Sequence, residues 1–234
     1  MQVVFDHFED QAEHIRSFFF KPEKPVDYTA GQFIELYLPH PDEDDRGHKR
    51  WFTLSSSPTQ ELLSITTKFA GDSSSSFKKA LLAMQPGTEL KMVEPMGDFV
   101  LPKHVQTPLI FVAGGIGITP FHSMLEWLAN TGEVRPIKLL YAVNSEDDIV
   151  FQDTFARAGV HATILVKDAS PSWGGERGTL SAELILGVEQ PSDDTLIYLS
   201  GPEPMVEALE ADLKKAGIKA DRLVGDFFPG YQTL

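Results

Sequence analysis

The sequence predicts a two-domain protein of β plus α/β class, with an N-terminal antiparallel β-barrel over residues 1–102 and a C-terminal parallel-sheet α/β domain over residues 103–234. Three observations predict it. The first hundred residues carry short, alternating apolar runs separated by turn-rich segments, the pattern of a small antiparallel barrel. After Pro102 the texture changes to strand and helix in alternation, which implies parallel strands joined by right-handed crossovers. The chain of 234 residues is 42% hydrophobic and 23% charged, an ordinary globular mixture long enough for two modest domains.

In chain order, strands are expected at 31–39, 50–56, 62–69 and 89–101, where apolar and polar residues alternate. A helix is expected from Ser76 to Met84, stopped by Gln85, Pro86 and Gly87. Residues 109–115 form a nearly continuous apolar run, as in a strand buried on both faces. The helix after it places Phe121, Met124, Leu125 and Leu128 on one stripe, with Thr119 as N-cap, Pro120 in the first turn and Gly132 as the stop. Further strands are expected at 138–143, 161–167, 195–201 and 221–228. A last helix at 202–217 gathers Met205, Val206, Leu209 and Leu213 on one face.

Composition excludes several chemistries. A net charge of −14 is the wrong sign for nucleic acid or an anionic membrane surface. The absence of cysteine removes disulfides, thiolate zinc sites, cysteine nucleophiles and four-thiolate iron–sulfur clusters from these residues. The seven histidines are scattered without ligand spacing, so they are read as surface residues and no metal is expected. No stretch approaches the roughly 20 apolar residues of a membrane span, and no basic region precedes an apolar run at the start. A cytoplasmic protein is the expectation.

In an open parallel sheet, ligands bind beyond the carboxyl ends of the strands. Two turns meet that condition. Gly114, Gly115, Gly117, Thr119 and Pro120 lie in a glycine-rich strand-to-helix turn, and Ser200, Gly201, Pro202 and Met205 lie in another. Glycines admit a phosphate or flat ring to the backbone, and helix-start N–H groups favour an anion; tight packing of helix on strand is the other reading of the same residues. Neither turn follows the G-x-G-x-x-G dinucleotide pattern.

Four segments together resemble the ferredoxin–NADP reductase family. Arg50-Trp51-Phe52-Thr53-Leu54-Ser55-Ser56 resembles its R-x-[YF]-[ST] flavin motif, and Pro95 to Phe99 its P-x-G-x-F segment. Gly114 to Pro120 resembles its nicotinamide-domain motif, and Ser200 to Met205 its G-P-x-x-M motif. They occur in the family's order and cover nearly the whole chain. The resemblance implies a barrel that binds FAD, an α/β domain that binds NAD(P)H, and hydride transfer from nicotinamide C4 to flavin N5. Phe52 would then lie against the isoalloxazine, Thr53 near N5, and Arg50 on the pyrophosphate as a bidentate fork. Read without the other motifs, the same segment is a barrel strand with Phe52 in its core and Arg50 in a surface pair.

Lys68-Phe69-Ala70-Gly71 followed by Ser73 to Ser76 resembles the family's K-x-x-x-G-x-x-S stretch, with Ser75 and Ser76 preferred as phosphate contacts. Phe228, in a tail placed after the last strand, would approach the free face of the flavin. Many family members carry cysteine where this chain has Ser200, beside the site of hydride transfer. Glu146, Asp147 and Asp148 follow the second parallel strand and would repel a 2′-phosphate, which favours NADH unless Arg177 folds into range. The electrons would leave to a separate acceptor: another protein, a free flavin, a quinone or oxygen. A flavin-binding regulatory or electron-transfer subunit without productive NAD(P)H turnover is the alternative.

Overall fold

A computed structural model describes residues 1–188 and 191–228, with Phe227 and Phe228 described through their backbone alone. The first half forms a six-stranded antiparallel sheet built from β1 (Gln2–Ala12), β2 (Ile15–Pro22), β3 (Phe33–Tyr37), β4 (Lys49–Thr53), β5 (Leu63–Lys68) and β6 (Glu89–Met92). Their order is β4-β3-β6-β1-β2-β5, and an antiparallel bridge between Leu54 and Ile65 joins the two ends. The Ser55 N–H donates to Ser64 O at 2.8 Å beside that bridge, so the sheet closes into the expected barrel.

Two of these strands were not foreseen. β1 buries Val3 and Phe5 but carries half-buried Val4 between them and is interrupted by a bulge between Phe5 and His7, which together blur the period of two. β2 hides its alternation inside the run Phe18-Phe19-Phe20, of which Phe18 and Phe20 are buried. The strand expected at 89–101 ends at Met92, and the chain beyond it stays tied to β3 by the Val93 N–H, which donates to Glu35 O at 2.9 Å, and by a bridge between Phe33 and Met96. Helix α1 (Ser76–Ala83) closes the barrel core with Phe77 and Leu81, and the Ser75 hydroxyl caps it by accepting the Lys78 N–H.

The second half holds six parallel strands: β7 (Leu109–Gly114), β8 (Ile137–Val143), β9 (Ala162–Val166), β10 (Glu176–Arg177), β11 (Leu196–Pro202) and β12 (Leu223–Phe228). Their order is β10-β9-β8-β7-β11-β12. The direction of winding reverses at β7, which places a crevice beyond the ends of β7 and β11. Helices α2 (Thr119–Thr131), α3 (Gln152–Arg157), α4 (Ala182–Val188) and α5 (Glu203–Lys215) connect the strands. The predicted apolar stripe of α2 is buried as a whole, and Gly132 stops that helix at φ +72°.

Two expectations in this half are corrected. A 3-10 turn at Gly115–Ile118 runs directly into α2, so Thr119 is already helical and is not its N-cap; its hydroxyl donates to Ile116 O at 3.1 Å. His122 is not a surface histidine. Its ring stacks on Phe151 at 3.7 Å with Nδ1 enclosed, and burial pushes its pKa down to about 3.

The two sheets pack through α2. Ile15, Ala30 and Phe99 from the first half join Phe111, Phe121 and Met124 in one apolar cluster. Polar ties cross the same surface: the Ser123 hydroxyl donates to Ser56 O at 2.6 Å, the Tyr198 hydroxyl to Val100 O at 2.8 Å, and Arg135 Nη1 to Pro102 O at 2.6 Å. This packing sets the distance between the barrel rim and the ends of β7 and β11.

Candidate functional site

A cleft of about 720 Å³ lies between the barrel and the carboxyl ends of β7, β8 and β11. Its barrel wall comes from β4, the end of β5 and the start of α1. The opposite wall is made by Gly114, Ile116, Asn144, Gly201 and Pro202. An open depression of about 770 Å³ beside Met1, Tyr37 and Lys91 contains none of the predicted residues.

On β4 the period of two sorts the flavin-motif residues. Trp51 points outward, 54% exposed at the cleft edge, and its indole N–H donates to Glu35 Oε1 at 3.1 Å. Phe52 is 7% exposed, packs on Phe77 at 5.9 Å between ring centroids, and lines the cleft as well. The two readings of Phe52 are therefore compatible, because one face belongs to the core and the other to the cleft. Thr53 is buried, and its Oγ1 has no hydrogen-bond partner among the described residues.

Arg50 lies over the Phe77 ring at 5.1 Å with little exposure. Its Nη1 donates to the carbonyls of Arg46, Gly47 and Lys49 at 3.0, 2.8 and 2.7 Å, and its Nη2 to Asp44 Oδ1 at 2.6 Å. Burial alone would raise the Asp44 pKa, but hydrogen bonds from Arg46 and Arg50 outweigh it and hold the carboxyl at about 2.

Gly71 turns the chain at φ +53° so that Ser73, Ser74 and Ser75 face the cleft. Ser76 does not: its Oγ bonds to His40 Nε2 at 3.0 Å and accepts the Asp44 N–H at 3.2 Å. The predicted pair of Ser75 and Ser76 is thus corrected, with Ser76 holding the 40–44 loop. Lys68 lines the cleft but binds across it, Nζ lying 2.7 and 2.8 Å from the two Asp148 carboxylate oxygens.

That pair also revises the argument from Glu146, Asp147 and Asp148. Asp148 is neutralised by Lys68. Glu146 accepts the Ser170 N–H at 2.8 Å, and the Ser170 hydrogen bonds, helped by Arg177, hold its pKa below the ordinary carboxylate value. Two of the three carboxylates expected to repel a phosphate therefore have partners already. Arg177 donates to the carbonyls of Ala169, Ser170 and Trp173.

The glycine-rich turns serve packing and access together. A Cβ on Gly117 would sit 2.4 Å from Ser200 O, and one on Gly114 would sit 2.4 Å from Met205 Sδ. Gly114, Gly201 and Pro202 reach the cleft wall, whereas Gly115, Gly117, Thr119, Pro120 and Met205 stand behind it. Ser200 is fully buried, its Oγ has no hydrogen-bond partner among the described residues, and its backbone pairs in register with Asp226 of β12.

Sequence reasoning gave Asp226 no role, although the strand expected at 221–228 contains it. It lies inside β12, where burial pushes its pKa up to about 6. A carboxylate between Gly225 and Phe227 in an otherwise apolar strand was the available signal. Phe228 pairs with Pro202 through its backbone, and its side chain lies outside the described residues.

These residues suit a flavin dinucleotide. Phe52 offers an aromatic face, Thr53 Oγ1 and Ser200 Oγ are buried polar atoms without partners among the described residues, and Arg50 with Ser73 to Ser75 supplies phosphate donors beside a helix start. Among the described residues no cluster of His, Asp and Glu side chains is placed to hold a metal, and no helix is long and apolar enough to cross a membrane.

Comparison with known proteins agrees with this geometry. A family model described as an oxidoreductase NAD-binding domain matches residues 111–211. The electron transfer component of toluate 1,2-dioxygenase from Pseudomonas putida is 30% identical, over 82% of this chain and 56% of that protein. Ferredoxin–NADP reductase B of Sorangium cellulosum is 30% identical, over 67% of this chain and 65% of that protein. The chain thus spans between about half and two thirds of the length of the curated relatives it matches. The FAD/NAD-binding domain of nitric oxide dioxygenase from Vibrio cholerae superposes with a TM-score of 0.82 at 24% identity, over 97% of this chain and 98% of that one. That likeness shares the whole two-sheet fold.

Proposed function

The chain belongs to the ferredoxin–NADP reductase-like family of FAD- and NAD(P)-binding oxidoreductases, and from that premise we propose that it transfers a hydride from NAD(P)H to FAD and passes the electrons to a separate acceptor. One observation carries the reading. The Arg50 to Phe52 segment and the serine turn meet the ends of β7 and β11 across a single cleft, so a flavin and a nicotinamide can face each other there.

Bound FAD supplies the redox chemistry, accepting the hydride and releasing electrons singly or as a pair. The protein supplies orientation and electrostatics. Arg50 and Ser73 to Ser75 hold the pyrophosphate, and Phe52 gives the ring its apolar backing. Thr53 offers a hydroxyl at the barrel rim and Ser200 one beneath the opposite wall. Asp226, in register with Ser200, keeps a proton up to about pH 6 because its burial disfavours the charged form. The phenyl group of Phe228 is proposed for the remaining flavin face.

The division between the two domains is proposed at Pro102, where Arg135 grips the carbonyl. NADH is favoured over NADPH because the carbonyls of Ala169, Ser170 and Trp173 occupy Arg177, the nearby cation that a 2′-phosphate would need. The acceptor is a protein, a free flavin, a quinone or oxygen, since the cysteine-free sequence holds no thiolate-bound cluster. A cytoplasmic location belongs to the same proposal, and cell fractionation tests it.

Anaerobic titration of the FAD-loaded protein with NADH and with NADPH is the direct test. Rapid loss of the oxidised-flavin bands is expected, with NADH the better donor. Ser200, which stands where the family resemblance implies cysteine, favours a second reading as a flavin-binding regulatory subunit. Tight FAD binding without bleaching by either nucleotide would select that reading, and no FAD binding would remove both.

A further inference from the structure

We infer that Asp44 is a positioning residue for the flavin pyrophosphate, acting through Arg50. The inference rests on the FAD reading and adds to it a residue outside every motif noted in the sequence. A guanidinium carries five N–H donors. In this chain Nη1 directs its two at the carbonyls of Arg46, Gly47 and Lys49, and Nη2 gives one to Asp44 Oδ1 at 2.6 Å. Nε–H and the second Nη2 hydrogen have no partner among the described residues, and they are the donors left for an anion entering the cleft.

Asp44 is the hub of that arrangement. Its Oδ1 also accepts the Arg46 N–H at 3.0 Å, its Oδ2 accepts Arg46 Nη2 at 2.9 Å, and its own N–H donates to Ser76 Oγ at 3.2 Å. Gly47 N–H returns to Asp44 O at 2.8 Å, which closes the loop beneath the guanidinium. Phe77 covers one face of the Arg50 group at 5.1 Å. Arg50 is 14% exposed and Asp44 31%, so the fork is oriented inside the cleft wall instead of moving in solvent. Orientation in advance removes part of the entropy cost of binding, which is where a rigid fork gains over a mobile one.

A counter-ion that competed with phosphate would have the opposite effect, and affinity separates the two. FAD dissociation constants are measured by fluorescence quenching for the wild type, Asp44→Ala, Arg50→Lys and the double variant, with thermal melts as the check on folding. Asp44→Ala is expected to weaken FAD binding about tenfold, and Asp44→Asn, which still accepts a hydrogen bond from Arg50, to recover most of the loss. In the Arg50→Lys background, Asp44→Ala is expected to change affinity less than twofold, since the positioned group is gone. Unchanged or tighter FAD binding by Asp44→Ala overturns the inference. So does a loss of the same size in the Arg50→Lys background, which would mark a general collapse of the 40–48 loop. A wild type that binds no FAD removes the reading of the cleft itself, and the inference with it.

Discussion

On the barrel wall of the cleft, side chains carry the donors: Arg50 fixed by Asp44, Lys68 bound to Asp148, and hydroxyls on a turn that opens α1. On the sheet wall there are few donors and little room. Gly114, Gly117 and Gly201 bring backbone within touching distance of Ser200 and Met205, and a polar layer of Ser200 and Asp226 lies beneath. The comparison teaches a division of labour. On the proposed reading the barrel wall meets anions with oriented charged and hydroxyl donors, whereas the sheet wall admits a flat ring through shape and tolerates almost no added volume.

Gly117→Val breaks the shape side and should have the largest effect. Its Cβ would fall 2.4 Å from Ser200 O, a backbone atom that cannot swing aside. The expected destabilisation is about 3 kcal/mol or more in urea unfolding, the scale of overpacking a closed core. A loss below about 1 kcal/mol would show that β11 yields, and the contrast between the walls would go.

Asp226→Asn probes the polar layer of the same wall. Burial raises the Asp226 pKa to about 6, so the folded protein holds this proton more tightly than the unfolded chain does. The stability it contributes is complete below pH ~4 and is lost as pH rises through about 6. The amide variant should therefore be more stable than the wild type by about 2 kcal/mol at pH 8, with the gain vanishing near pH 4. Melts across that pH range check the sign, and an equal gain at both ends would refute it.

The smallest expected effect belongs to the charge that joins the walls. Lys68→Met leaves the largely buried Asp148 carboxylate without its partner and should cost about 1 kcal/mol. Most of that should return in Lys68→Met with Asp148→Asn, because no unpaired charge remains. If the double variant is no better than the single one, the pair contributes through packing alone.

The legible parts of the molecule were those with local signals. The apolar run at 109–114, the stripe Phe121, Met124, Leu125 and Leu128, and the stop at Gly132 each depend on neighbours within a few residues, and each took the expected form. β1 and β2 escaped because a bulge and a triple phenylalanine blur a period of two. Thr119 failed as a cap because a 3-10 turn had already begun the helix. Ser76 was misread because its hydroxyl is claimed by His40, 36 positions away in the chain.

By itself the sequence determined the alternation of elements, the order of the motifs and the residue types available to the cleft, since periodicity and turn chemistry act over short stretches of chain. Only the tertiary structure decided which donors remain available. Asp44 for Arg50, Asp148 for Lys68 and Asp226 beside Ser200 are pairings set by loop closure, domain packing and parallel strand register. Such contacts depend on where distant segments end up in space, and no spacing along the chain encodes that distance.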